Sequence, residues 1–154
     1  PYKVEGLLSF KFWEENFYYI TNNVNFSKAK IKAKDIDISN LMLLDDGHCL
    51  KSHVLAACKI ETNKQYSMEA SSLTTLTQLV AGGMGSTLVP HMAIDQLVSS
   101  NSLIDKALLD EPGPHRELAI VIRPSYSSIE SVELLSEVFS SSLLKRTKSF
   151  KGKV

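Results

Sequence analysis

Ala70-Ser71-Ser72-Leu73-Thr74-Thr75-Leu76 leads through Val80-Ala81-Gly82-Gly83-Met84-Gly85 into Ser86-Thr87-Leu88-Val89-Pro90. Ser71 or Ser72 supplies the side-chain oxygen that caps a helix start. Leu73, Leu76, Leu79 and Val80 then recur at helical spacing and share one face. Gly82-Gly83 ends the helix, and Gly85 follows within the turn. Ser86 to Val89 reads as a strand, and Pro90 opens a short helix carrying Met92, Ile94 and Leu97. A phosphate loop is the competing reading of the three glycines. No Lys-Ser/Thr pair follows them, and they lie between a helix and a strand rather than between a strand and a helix. A helix cap and tight turn is therefore the better account.

Working outward, the same alternation continues. Upstream, Tyr66 to Ala70 reads as a strand, and Leu41 to Leu44 is an apolar run between Asn40 and Asp45-Asp46-Gly47, which suits a buried strand. Between them Leu50, Val54, Leu55 and Cys58 fall at helical spacing, giving a helix over about 49–59 that starts near Gly47-His48. Phe17-Tyr18-Tyr19-Ile20 is an aromatic strand running into the turn Thr21-Asn22-Asn23. Lys28, Lys30, Lys32 and Lys34 alternate with apolar residues, as in a solvated face or a basic ribbon for anions. Residues 35–38 read as a helical turn or loop. Downstream, Leu103 to Leu108 suits a strand, Pro112-Gly113-Pro114 forces a turn, and Leu118 to Ile122 reads as a buried strand. A long helix over about 127–146 presents Ile129, Val132, Leu135, Val138, Phe139 and Leu143 as a stripe, before a basic tail of Lys145, Arg146, Lys148, Lys151 and Lys153. Strands alternating with helices give an α/β fold with mostly parallel pairing.

The chain has 154 residues, 17 Lys+Arg against 17 Asp+Glu, and 44% hydrophobic residues. The apolar content excludes a disordered chain. The charge balance argues against holding nucleic acid unaided, which takes a basic excess. No apolar run reaches transmembrane length, and the start shows no secretory pattern, so a cytoplasmic protein with no membrane partner is expected. The opening Pro1-Tyr2-Lys3, without a methionine, reads as the start of a fragment or trimmed chain.

Two cysteines are too few for a disulfide scaffold or a structural zinc site. They are inert core residues or a switchable pair. Cys49 stands where a strand gives way to a helix, the usual place for a ligand site in an α/β sheet. The helix dipole, His48 and Lys51 favour its thiolate there, while Asp45 and Asp46 oppose it. His48 reads as a base, a hydrogen-bond donor or a structural residue. His53 lies one helical turn after Cys49. A metal triad of Cys49, His48 and His53 is poorly supplied with ligands, and a Cys–His–acid hydrolase shows no further nucleophile signature.

Leu43-Leu44-Asp45-Asp46-Gly47-His48-Cys49-Leu50-Lys51, with Cys58 following, resembles the redox loop of the OxyR-type peroxide sensors, a group of the LysR-type transcriptional regulators. Ala70 through Pro90 resembles the effector domain of that wider family, and Ile122-Arg123-Pro124 with the helix after it resembles the return into the first lobe. The chain differs from the sensor pattern at Lys51-Ser52 and His53. The resemblance implies a periplasmic-binding-protein-like (type 2) effector domain. Residues 1–16 would be a crossing segment, 17–119 the second lobe with the redox loop, and 120–154 the return strand and final helix of the first lobe. The sheet covering that helix's apolar stripe would belong to the rest of that lobe.

The resemblance also implies chemistry. Cys49 and Cys58 would be the peroxide-reactive pair, with Gly47, His48, Leu50, Lys51 and Arg123 supporting the peroxide pocket. Cys49 would be oxidised to a sulfenic acid and Cys58 would close a disulfide, later reset by a thiol reductant. That is stoichiometric sensing, not an enzyme, and it implies neither a cofactor nor a metal. The implied partners are a second copy in a homodimer or tetramer, RNA polymerase, and promoter DNA held through a helix-turn-helix domain outside this chain. Three other readings compete. They are an effector domain binding a small-molecule inducer, a solute-binding protein, and a thiol peroxidase.

Overall fold

The computed structural model describes residues 5–60 and 68–151. Pro1-Tyr2-Lys3, the Tyr66-Ser67 part of the expected strand, and Lys153 lie outside the described residues. In chain order the elements are β1 (Leu8–Glu15), β2 (Phe17–Thr21), β3 (Lys30–Ile31), β4 (Met42–Leu44), α1 (Cys49–Cys58), β5 (Met68–Ala70), α2 (Leu73–Ala81), β6 (Ser86–Pro90), α3 (Ile94–Leu97), β7 (Asp105–Leu109), β8 (Arg116–Ile122) and α4 (Ile129–Lys151). The chain divides into two compact units, Glu15–Arg116 and the pair of segments Pro1–Glu14 and Glu117–Val154.

The Glu15–Arg116 unit is built on a four-stranded sheet in the order β3-β7-β2-β6. β2 is rich in aromatic and β-branched residues, which suit a pleated, buried strand. It pairs antiparallel with both neighbours, Tyr19 lying opposite Leu88 on β6 and Ala107 on β7. β3 joins β7 in parallel, and β4 pairs with β5 in parallel. β4 reaches β6 through a parallel bridge at Leu41 and Ser86, beside which the Thr87 hydroxyl donates to the Met42 carbonyl at 2.7 Å. The expectation of mostly parallel pairing is thus corrected, since the longest ladders in this unit are antiparallel. β2 runs against β6 and β7, so it breaks a set that the helical crossovers would leave parallel.

Phe17, Tyr19, Leu88, Ala107 and Leu109 form one face of the core, and Val54, Leu55 and Cys58 of α1 cover it. Ser72 caps α2, its hydroxyl accepting from the Thr75 N–H at 3.1 Å. Leu76 and Val80 of α2 are buried, as is every residue of β6. The alternating lysines do not form a long ribbon. β3 keeps only Lys30 and Ile31, and two 3-10 turns follow at Ala33–Asp35 and Ile38–Asn40.

In the other unit β1 pairs with β8. α4 is tied to β1 by the Ser140 hydroxyl, which donates to the Phe12 carbonyl at 2.7 Å, and by the Phe12 and Phe139 rings, 5.5 Å apart. Lys11 pairs with Glu14 and Glu117. The expectation of a buried strand at 118–122 is corrected. β8 alternates between exposed and half-buried residues, because a two-stranded ribbon offers few neighbours to cover it. On α4 Val132 is buried, while Leu135, Val138 and Phe139 of the expected stripe stay exposed. Among the described residues no helix is long and apolar enough to cross a membrane.

Candidate functional site

Strand β4 delivers the chain to the start of α1. Its three residues are buried, and the Asp45 N–H donates to Ala70 at the end of β5, so the strand end is fixed by its neighbour. Gly47 turns the chain with φ near +95°, a conformation that side chains disfavour. His48 is exposed at the N-cap, with no capping bond from its own side chain. Cys49 follows as the first residue of α1 and is half-buried.

Two carboxylates hold this turn from the side. Lys51 Nζ lies 2.7 Å from Asp46 Oδ1 and 2.6 Å from Glu69 Oε1, with its side chain only 11% exposed. Burial works against the ammonium, but the bonds to Asp46 and Glu69 outweigh it and raise its pKa above the ordinary value. The Lys51 charge is therefore engaged by Asp46 and Glu69. Sequence reasoning placed Lys51 near Cys49 but missed Glu69, which lies on β5. Only the parallel pairing of β4 with β5 brings Glu69 opposite Leu43, near this turn. Leu50 is half-buried and packs on the core cluster, so it anchors the first turn of α1. His53 is half-buried, its Nδ1 meets no hydrogen-bond partner among the described residues, and burial lowers its pKa.

Cys58 is the last residue of the same helix and is 7% exposed. Burial, with a smaller contribution from the Glu111 carboxylate, pushes its thiol up to about 12. It is thus a protonated thiol in this conformation. The helix ends immediately after it. Lys59 N–H donates to Ala56 O and Ile60 N–H to Leu55 O, the paired bonds of a Schellman end. That motif places Lys59 in the left-handed region at φ 53° and ψ 38°, where a glycine usually stands.

Both cysteines are free. The structure puts Gly47, His48, Cys49, Leu50 and Lys51 in one turn and Cys58 at the far end of the helix. Arg123 belongs to the other unit, just after β8, and is exposed. Among the described residues no three His, Cys, Asp or Glu side chains gather as a metal site would require.

Residues 1–143 match the family model of the LysR substrate binding domain. The chain is 37% identical over 131 residues to the HTH-type transcriptional regulator EstR of Acinetobacter baylyi, a match covering 81% of this chain and 42% of that protein. It is 30% identical over 140 residues to a probable hydrogen peroxide-inducible genes activator of Streptomyces viridosporus, covering 88% and 45%. The reduced form of the regulatory domain of OxyR2 from Vibrio vulnificus superposes with a TM-score of 0.70 at 31% identity, covering 92% of this chain and 68% of that one. The chain spans less than half the length of these two curated relatives.

Proposed function

The chain belongs to the LysR substrate binding domain family, and on that premise we propose that it is the regulatory domain of a peroxide-sensing transcription factor. The observation that carries the reading is the placement of two free cysteines at the two ends of one helix, in a chain similar to a reduced OxyR-type regulatory domain. The Cys49 thiolate attacks one peroxide oxygen, the O–O bond breaks, and hydroxide leaves with a sulfenic acid on Cys49, taking up the proton the thiol had released to become water. The Cys58 sulfur then displaces the sulfenic hydroxyl, which departs as a second water, and an S–S bond remains. Peroxide is the oxidant, and an external dithiol returns both sulfurs to thiols. One peroxide is consumed per switch, so the protein acts as a sensor and not as a catalyst.

Gly47 and Leu50 fix the turn that presents Cys49, and Lys51 braces it through Asp46 and Glu69. His48 is the remaining support of the peroxide pocket in this proposal, and Arg123, which the resemblance also implied, belongs to the other unit. Promoter DNA contact through a helix-turn-helix, dimer or tetramer assembly and contact with RNA polymerase belong to the longer protein in which this domain would work, in the cytoplasm.

Stoichiometric peroxide added to the reduced chain tests the assignment by mass spectrometry. The expected product is a Cys49–Cys58 disulfide, lost in Cys49→Ser. In Cys58→Ser it stops at a Cys49 sulfenate trapped by a 1,3-diketone. Limiting alkylation should mark Cys49 before Cys58, which is buried and protonated. Faster labelling of Cys58, or a disulfide that survives Cys49→Ser, overturns the roles.

A second reading is favoured by one relative, EstR, whose name speaks of transcriptional regulation without peroxide. There the domain binds a small-molecule inducer and the cysteines are incidental. Regulation in the longer protein that persists unchanged in Cys49→Ser would select it.

A further inference from the structure

A half-open groove of about 330 Å³ lies over the C-terminal end of α1, away from the Cys49 turn. Its lining mixes two kinds of surface. Ile36, Cys58 and Ile60 are buried, while Lys32, Lys34 and Lys59 are exposed around them. None of these three lysines makes an ion pair among the described residues. Glu111 also lines the groove, but its Oε1 accepts from the Ala33 N–H at 2.9 Å, so one carboxylate oxygen is already engaged by the backbone. Among the described lining residues, three cations against one carboxylate leave the rim positive. The volume falls at the small end of the range for small-molecule pockets.

We propose that this groove binds a small organic anion with an apolar body and a carboxylate head. The body lies on Ile36, Ile60 and Cys58, and the head is held by Lys32, Lys34 and Lys59. The two requirements come from separate features. An apolar floor alone rewards burial without choosing a charge, and a ring of solvated lysines alone attracts any anion weakly. Combined, they select amphipathic acids over neutral chains and over inorganic anions. The site is distinct from the Cys49 turn and stands whether or not peroxide chemistry occurs there. A ligand seated on the Cys58 sulfur also shields that thiol.

The test uses octanoate on the reduced chain, with octanamide and inorganic phosphate as comparators. Octanoate is expected to bind by calorimetry with a Kd at least ten-fold lower than octanamide, and phosphate to show no binding at the same concentrations. Octanoate at saturation should slow maleimide labelling of Cys58 at least five-fold and leave Cys49 labelling unchanged. The exposed double variant Lys32→Glu with Lys34→Glu should weaken octanoate at least ten-fold while keeping the parent thermal transition. Equal binding of octanoate and octanamide, undiminished binding by the double variant, or unchanged Cys58 labelling at saturation would each overturn the proposal. Because no peroxide is added, failure here leaves the redox assignment standing, and failure of the redox assignment leaves this site standing.

Discussion

Cys49 and Cys58 are the first and last residues of one unbroken helix. Nine steps of ~100° and ~1.5 Å set them on opposite faces and about 13 Å apart along the axis. A disulfide tolerates Cα separations only up to roughly 7 Å. Joining the two sulfurs must therefore reshape the stretch from Leu50 to Ala57, and Val54 and Leu55 must leave the core they now cover. Backbone amides of α1 should be protected from hydrogen exchange in the reduced chain and lose that protection after stoichiometric peroxide. Equal protection in both states, with the disulfide confirmed by mass, would sink this expectation.

The helix end beside Cys58 is under strain. Lys59 holds a left-handed conformation that costs an L side chain about 1–2 kcal/mol. Lys59→Gly should raise stability by about 0.5–1 kcal/mol, after allowing for the freer unfolded chain. Lys59→Ala should bring no such gain, because it retains the Cβ. If Cys58 must leave its seat to form the disulfide, the glycine variant should also oxidise more slowly. Urea midpoints of the reduced variants give the first comparison, and a glycine variant no more stable than the alanine one removes the strain argument.

Much of this architecture was legible because local signals carried it. The Ser72 cap, the Gly82-Gly83 stop and the run into Pro90 each act within a few residues, and the elements form where those residues lie. The family resemblance, resting on Leu43 to Lys51 with Cys58, on Ala70 to Pro90 and on Ile122-Arg123-Pro124, agrees with the matching family model. Strand direction was not legible, since nothing inside Phe17 to Thr21 states that both neighbours will run against it. Burial of β8 was misread because an apolar run specifies a preference, while a two-stranded ribbon limits what can cover it. The bond from Lys51 to Glu69 spans 18 residues. It exists only because β4 and β5 lie side by side. The groove over Cys58 likewise gathers residues 32–38, 58–60 and 111 from separate segments, and periodicity contains no trace of it.

His115 makes the Glu15–Arg116 unit sensitive to acid. Its Nδ1 accepts from the Phe17 N–H at 3.1 Å, so Nε2 carries the proton and donates to the Glu111 carbonyl at 3.2 Å. That arrangement requires the neutral ring. Burial lowers its pKa from the ordinary 6.5, against smaller opposing effects of the Glu111 carbonyl and the Glu111 carboxylate. Above the unfolded value both states are neutral and the full stability is present. As pH falls below it, the unfolded chain takes up a proton that the folded chain resists, and stability is lost until pH passes the depressed folded pKa. Urea midpoints of the parent should fall from pH 7 toward pH 5. His115→Gln should be about 1–3 kcal/mol less stable at pH 7 and show a shallower fall. His53, lowered in the same direction, adds to the slope, while Glu15, raised by burial, opposes it. An identical pH slope in both proteins would remove His115 from this role.

Gly85 is where β6 starts against the segment entering β4. A Cβ placed there would stand 2.6 Å from the Asn40 carbonyl oxygen and 3.2 Å from Met42 Cγ. The first contact is with backbone, which cannot swing away as a side-chain end can. Gly82, three residues earlier, has an ordinary φ of −76°, and an added Cβ there would meet carbonyl oxygens only at 3.5 and 3.6 Å. Gly85→Ala should therefore cost about 1–3 kcal/mol, and Gly82→Ala should stay within about 0.5 kcal/mol of the parent. The larger effect should reach the turn that carries Cys49. Displacing Asn40 and Met42 disturbs the Leu41–Ser86 bridge and the Thr87 bond to Met42, which hold β4 where it delivers Cys49. Limiting alkylation of the two variants separates this from general loosening. At a denaturant level where both are fully folded, Cys49 should label faster in Gly85→Ala than in Gly82→Ala, with Cys58 labelling unchanged. Equal urea midpoints for the two variants would show that the close approach at Gly85 is relieved without cost.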